Sequence, residues 1–416
     1  MLDIKKPELL APAGDFERLS AAVEYGADAV YLGSDRFGMR TAAASFGGED
    51  LKKACDYAHS KGVKVYLTCN TVPRNSELSA LPAFFEYAAQ SGVDAFIITD
   101  IGVMGIAQKY APNVEIHIST QAGITNYAAA NAFYQMGAKR IVTAREISLD
   151  EITEIRAKTP SDLEIECFVH GAMCVSFSGR CLLSNYMTGR DSNRGDCAQP
   201  CRWHYSLVEE KRPGEYFPIE QDNTGTYIMN SRDMCLIEHI PELVKAGINS
   251  FKIEGRAKSA YYTAVSVNAY RCAIDGFEKS GFAEDYRPEQ WIIDEVRKAS
   301  NRQYCTGFYF SDPMDGAEIF YNGGYVREWD VAAIAEKWEN GTLYASQRNR
   351  FFDGDELEIM IKGQEPFKIT VKNLKNADGD LIDNAPHPMM KFSIDCPIDI
   401  PAGAYLRMQR KSGVIL

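Results

Sequence analysis

The chain has 416 residues, 45% hydrophobic and 25% charged, the composition of an ordinary globular protein with room for roughly two to three domains. Its 57 acidic and 45 basic side chains leave a net charge of −12, which excludes a broadly basic DNA-binding surface and admits only a local cationic patch. No run approaches the roughly 18 uncharged apolar residues of a membrane span. The opening MLDIKKPELLAPAGD has no apolar core or cleavage site, so a cytoplasmic protein with no membrane partner is expected.

The first apolar run, LLAPAG near residue 9, precedes the helical pattern DFERLSAAVEYG. Five times a helix-like stretch ends in glycine with a β-rich run behind it: Gly26 before DAVYLG, Gly62 before VKVYLT, Gly92 before VDAFIITD, Gly137 before AKRIVTA and Gly247 before INSFKIEG. Glycine just past a helix takes the left-handed cap without a Cβ clash, so the recurrence reads as consecutive αβ units. VEIHIST near 115 and IECFVHG near 167 bring the short strands to eight. Eight strands alternating with helices such as GEDLKKACDYAHSKG predict an α/β protein, a (β/α)8 TIM-barrel-like domain over residues 1–280. A long insertion at 171–248 separates its seventh and eighth strands. Next come a helix near 259–276 and a helical or loop connector over 281–330. The alternating runs DVAAIAEKW, TLYASQ, DELEIMI, PFKITVK and MKFSID then predict a small antiparallel β-barrel over 331–416.

Barrel enzymes place their chemistry at the C-terminal ends of the strands. The polar residues expected there are Asn70, Asp100, His117 to Gln121, Arg145, Glu146, His170, Glu254 and Arg256. Of these, His170, Arg145, Glu254 and Arg256 are the candidate catalytic set.

Of the 11 cysteines, Cys167, Cys174, Cys181, Cys197 and Cys201 fall within 35 residues. In a reducing compartment such a cluster is metal-binding, catalytic or simply buried rather than a disulfide framework. Cys174, Cys181, Cys197 and Cys235 are 7, 16 and 38 residues apart, without paired CxxC knuckles. Spacing alone leaves an iron-sulfur cluster, zinc and inert thiols open. Cys55, Cys69, Cys167, Cys272, Cys305 and Cys396 lie in apolar contexts and are expected to be packing residues. No HExxH or GxSxG is present, and the nearest nucleophile pairing for a protease is Cys174 with His170.

The blocks ELLAPAGDFE, STQAGITN, AREISLDEI, HGAMCVSFSGRCLLS, NRGDCAQPCRW, NSRDMCLI and FKIEGRAKS are spread over nearly the whole chain. Together they closely resemble peptidase family U32, the collagenase-like peptidases, and within it the branch responsible for tRNA 5-hydroxyuridine synthesis. The resemblance implies oxygen-independent hydroxylation of tRNA at the wobble position, a cysteine-bound 4Fe-4S cluster and prephenate as co-substrate. Related branches act on ribosomal RNA or a ubiquinone precursor, and the family name itself implies a peptidase. The family's cluster pattern falls here on Cys174, Cys181, Cys197 and Cys235, with Cys201 as a competing fourth ligand and zinc as the alternative metal. The partners implied are tRNA and, in some branches, a paralogous subunit.

An RNA substrate requires cations interleaved with aromatic rings, on which phosphates pair and unstacked bases rest. The insertion offers Arg180, Arg190, Arg194 and Arg202, and the eighth-strand exit offers Lys252, Arg256 and Lys258. The C-terminal domain offers Arg348, Arg350, Arg407, Arg410 and Lys411 beside Tyr344, Phe351 and Tyr405. A small dicarboxylate such as prephenate calls for arginines in the barrel mouth, which selects Arg145 and Arg256.

Overall fold

The computed structural model describes residues 5–38, 46–174, 177–179, 181, 183–190, 192, 196–200, 220–222, 225–227, 231–310 and 325–410. Strands and helices alternate along the first half: β1 Glu8–Pro12, α1 Phe16–Glu24, β2 Ala29–Gly33, α2 Glu49–Ser60, β3 Lys64–Cys69, α3 Asn75–Leu78, α4 Leu81–Gln90 and β4 Ala95–Ile98. The series continues with α5 Ile101–Tyr110, β5 Glu115–Ile118, α6 Tyr127–Gln135, β6 Arg140–Val142, α7 Leu149–Ala157 and β7 Glu164–Ala172. The insertion contributes α8 Leu183–Thr188, a hairpin of β8 Glu220–Asp222 and β9 Gly225–Tyr227, β10 Asp233–Cys235 and α9 Ile240–Lys245. β11 Ser250–Ile253 then pairs in parallel with both β7 and β1, which closes the eight-stranded parallel barrel that the sequence predicts. Gly26 and Gly247, two of the helix-ending glycines, have φ of 106° and 82°.

The predicted helix near 259–276 is α10 Ala260–Lys279, capped by the Ser259 hydroxyl, which accepts the Tyr262 N–H. It is buried along most of its length against the barrel wall. α11 Gln290–Glu295 and β12 Tyr304–Cys305 follow, and β12 pairs with β10. No described helix is long and apolar enough to cross a membrane.

Inside the barrel an apolar layer of Leu10, Ala29, Tyr31, Tyr66, Ala95 and Ile97 sits beside charged residues. Arg140 pairs with Glu8 (2.6 Å) and Glu166 (3.0 Å), and Lys252 pairs with Glu166 (2.7 Å). Inward positions alternate along each strand, so Glu166 and Phe168 of β7 share the interior while Cys167 and Val169 join the outer core. Two expectations change here. Lys252 is not available to RNA, because it is buried and paired inside the barrel. His117 is a buried mid-strand residue whose ring meets Tyr66 edge-on at 4.7 Å, not a strand-tip group.

The C-terminal unit is a seven-stranded antiparallel half-barrel sheet with its own apolar core. Its strands are β13 Trp329–Glu339, β14 Thr342–Gln347, β15 Glu356–Met360, β16 Phe367–Thr370, β17 Lys375–Asn376, β18 Lys391–Asp395 and β19 Tyr405–Gln409, in the order β16-β15-β19-β13-β14-β18-β17. It packs on the barrel domain through Tyr25, whose hydroxyl donates to the Met360 and Gly403 carbonyls, and through a buried ion network. In that network Arg407 binds Glu295 and Glu358, and Lys298 also reaches Glu358 at 2.7 Å. Arg407 is therefore an interdomain residue and not an RNA contact. Phe351 and Tyr405 are likewise buried, whereas Tyr344 is exposed.

Candidate active site

Two arginines enter the barrel mouth, from the tips of β11 and β6, the two strands that flank β7. Arg256 follows β11, and its guanidinium lies over Gly33 at the tip of β2 and donates to Thr68 Oγ1 of β3 at 3.0 Å. A Cβ at position 33 would stand 2.5 Å from Arg256 Nη2, so glycine there makes the approach possible. Arg145 follows β6, stacks on Phe168 (4.8 Å) and donates to the Ala172 carbonyl at 3.0 Å. Both are less than one-tenth exposed. Charges this well buried bind an anion strongly, because solvent screens them little. Hydroxyls complete the rim: Thr99 donates to the Asn70 carbonyl (3.2 Å) and Thr120 to the Thr143 carbonyl (2.8 Å). Glu254 is half-buried at the same rim, and its backbone N–H donates to the His170 carbonyl at 2.8 Å. Asp100 serves as the N-cap of α5.

His170 does not join them. The β7–β11 register slips between Lys252 and Ile253, so that Phe168 opposes Lys252 and His170 opposes Ile253. The extra residue reverses the alternation, and the ring turns outward among Tyr262, Tyr270 and Tyr304. It is 1% exposed, both ring nitrogens lack a hydrogen-bond partner among the described residues, and burial lowers its pKa to about 4. This leaves the Cys174–His170 pairing of a cysteine protease unformed.

Glu146 holds the start of the insertion, accepting the Ser178 N–H and hydroxyl. Beyond it Cys174 and Cys197 are exposed and Cys181 half-buried. The Leu183 N–H donates to Cys181 Sγ (3.3 Å) and the Gln199 N–H to Cys197 Sγ (3.4 Å). Amide donors of this kind stabilise thiolate sulfur in metal clusters. Cys235 opposes His170 across the β7–β10 ladder, near the Tyr270 hydroxyl (3.9 Å), and burial pushes its thiol up to about 11. Donor chemistry thus fits a cluster at Cys174, Cys181 and Cys197. The arrangement does not complete one, since among the described residues no three His, Cys, Asp or Glu side chains converge as a metal site. Cys201, Arg180, Arg194, Arg202 and Lys411 lie outside the described residues. Of the thiols expected to be packing residues, Cys55, Cys69, Cys167 and Cys396 are buried, and Cys272 and Cys305 partly so.

The description peptidase family U32 matches residues 14–318, and that of the family's C-terminal domain matches residues 327–407. The chain belongs to peptidase family U32. It is 37% identical over 395 residues to tRNA hydroxylation protein P1 of Bacillus subtilis (strain 168), covering 94% of this chain and 92% of that one. It is 34% identical to tRNA hydroxylation protein P of Escherichia coli (strain K12), covering 98% of each. A protein named collagenase from Porphyromonas gingivalis is 33% identical over 79% of each chain.

In this U32 chain the residues that sequence reading missed are the charges inside the barrel. Glu8 accepts from Arg140, Tyr66 and Ser250, and although burial alone would raise its carboxyl, the Arg140 guanidinium brings it down to about 2. The signal was present as charged residues at inward alternate positions of apolar strands, Glu8, Arg140, Glu166 and Lys252. Among the cations expected to meet RNA, Arg410 is paired with Asp330 and Arg190 with Asp196, while Arg348 has no carboxylate partner among the described residues.

Proposed function

We propose that this chain is an oxygen-independent tRNA hydroxylase that forms 5-hydroxyuridine at the wobble position. The observation that carries the reading is similarity over more than nine-tenths of the chain to proteins named for tRNA hydroxylation. The mouth supports it: Arg145 and Arg256 suit a small dicarboxylate of the prephenate type, held by paired charge-assisted hydrogen bonds. Glu254, half-buried at the end of β11, is the carboxylate proposed to accept a proton. Cys174, Cys181 and Cys197, with Cys235 or Cys201 as the fourth, would hold a 4Fe-4S cluster, which supplies one-electron chemistry when bound. Hydroxylation of ribosomal RNA or of a quinone precursor would use the same mouth, and the nature of the accumulated unmodified substrate separates these readings. Peptide hydrolysis is less well supported, because His170 faces away from any nucleophile in the mouth. The test is nucleoside mass spectrometry of tRNA from a deletion strain with any parallel pathway removed. Loss of 5-hydroxyuridine, restored by this chain but not by Arg256→Ala, is the expected result, and unchanged 5-hydroxyuridine overturns the reading.

A further inference from the structure

Where the barrel domain meets the C-terminal sheet there is a cavity of about 570 Å³, lined in part by the loop that follows β11 and by neither mouth arginine. Its size lies in the roughly 300–1,000 Å³ range of small-ligand pockets, too small for a duplex and large enough for an unpaired nucleotide. Four cations line it, Arg18, Lys258, Arg327 and Arg348, against the single carboxylate of Glu17. In a chain of net charge −12 that local excess needs a reason.

Existing ion pairs do not cancel the excess. Arg18 is neutralised by Asp15. Lys258 sits 3.9 Å from Asp233, but that carboxylate is already held by Arg302 at 2.7 and 2.9 Å. Arg327 shares Asp330 with Arg410, which binds it through two nitrogens. Among the described residues Arg348 is tied only to neutral oxygens of Ser346 and Gln347. The first turn of α10, from its Ser259 cap to Tyr262, also faces the cavity and adds the positive end of a 20-residue helix.

Aromatic rings stand among these charges. Trp329 and Tyr325 line the cavity and are half-buried, and Lys258 lies 4.2 Å from the Tyr325 ring centre. Flat rings beside surplus cations are the combination that holds a base by stacking and its phosphate by charge. We propose that this interdomain cleft holds an unpaired RNA nucleotide, with the base against Trp329 or Tyr325 and the flanking phosphates at Arg348, Arg327 and Lys258. The ligand class rests on the tRNA function proposed for the chain, whereas the place is read from the cavity.

The test uses the full chain and a labelled unpaired RNA oligonucleotide of about eight residues, followed by anisotropy across a salt series. Arg348→Gln should weaken binding about tenfold and make the salt dependence shallower by about 0.7 for each phosphate that no longer meets a cation. Trp329→Leu should weaken binding without changing the salt slope, because stacking releases no counterion. Lys372→Glu, an exposed charge outside the cavity lining, should leave cleft binding in place, and matching thermal melts show that each variant folds. Wild-type affinity in both cleft variants overturns the proposal. So does displacement of the oligonucleotide by inorganic phosphate together with an unaffected Trp329→Leu, since that marks a plain anion site. Unchanged tRNA 5-hydroxyuridine in the deletion strain overturns the tRNA reading alone, independently of the oligonucleotide result.

Discussion

Arg407 and Glu295, both fully buried, face each other through two hydrogen bonds of 2.6 and 2.7 Å across the boundary between the C-terminal sheet and the barrel domain. Glu358 takes the other side of the same guanidinium, and Lys298 closes the group. Arg407→Ala leaves two carboxylates buried without their principal partner, which costs about 3 to 5 kcal/mol. Urea unfolding should show that destabilisation, together with an earlier transition in the C-terminal sheet. Arg407→Met with Glu295→Leu, Glu358→Leu and Lys298→Met should recover much of it, because no charge of the network is then left buried and unpaired.

The interior carboxylate Glu8 sets a pH dependence. Its folded value of about 2 lies below the ordinary 4.5, so the unfolded chain takes up the proton first as pH falls. The stabilisation is complete above about pH 4.5 and is lost progressively as pH falls toward 2. At about 1.4 kcal/mol per pH unit this amounts to on the order of 3 kcal/mol. Glu8→Gln should flatten the acid limb of a stability-versus-pH curve and lower stability at neutral pH, and an unaltered acid limb would count against the Glu8–Arg140 pair as its source.

Cluster binding gives a third prediction. Protein made and purified without air should carry iron and sulfide at about four each with a broad thiolate-to-iron absorption band, and Cys174→Ala, Cys181→Ala and Cys197→Ala should each lose both. Cys235→Ala and Cys201→Ala decide the fourth ligand, since only one of them should lose the cluster. Stoichiometric zinc without sulfide would point instead to a structural tetrathiolate site.

His170 supplies a prediction about stability alone. Two buried ring nitrogens without partners among the described residues are costly, and an apolar ring of similar shape avoids that cost. His170→Phe should raise stability by about 1 kcal/mol in thermal or urea unfolding, while a decrease in stability would show that an ordered water or ion satisfies the ring.

How much of this was legible in the chain differs by element. The eight barrel strands were, because glycine caps and apolar runs are local signals that β-branched and aromatic residues reinforce. The facing of His170 was not, since a single bulged residue in β7 reverses the alternation and nothing in IECFVHG marks where it falls. Arg407 reads as a surface cation next to Arg410, and only pairing with Glu295, 112 residues away, buries it. The two mouth arginines were chosen from position alone, and the dependence of Arg256 on Gly33 needed the closed barrel to bring the β2 and β11 tips together.

That dependence yields the sharpest test of the mouth. Gly33→Ala inserts a methyl 2.5 to 2.7 Å from three atoms of the Arg256 guanidinium, which must then move off Thr68. The Arg256 charge is kept and only its position changes, so a small anion would still be attracted but would be held away from the productive geometry. Misplacement of about 1 Å at a reacting centre costs on the order of a hundredfold in rate. Gly33→Ala should therefore reduce tRNA 5-hydroxyuridine to near background while the protein retains its melting temperature within a few degrees. Gly105→Ala, in α5 with open space at its Cβ, should leave both unchanged. Wild-type 5-hydroxyuridine in the Gly33→Ala strain would show that Arg256 acts through its charge alone or has no part in turnover. Arg256→Lys then separates these two outcomes, because lysine keeps the charge without the planar two-point contact to a carboxylate.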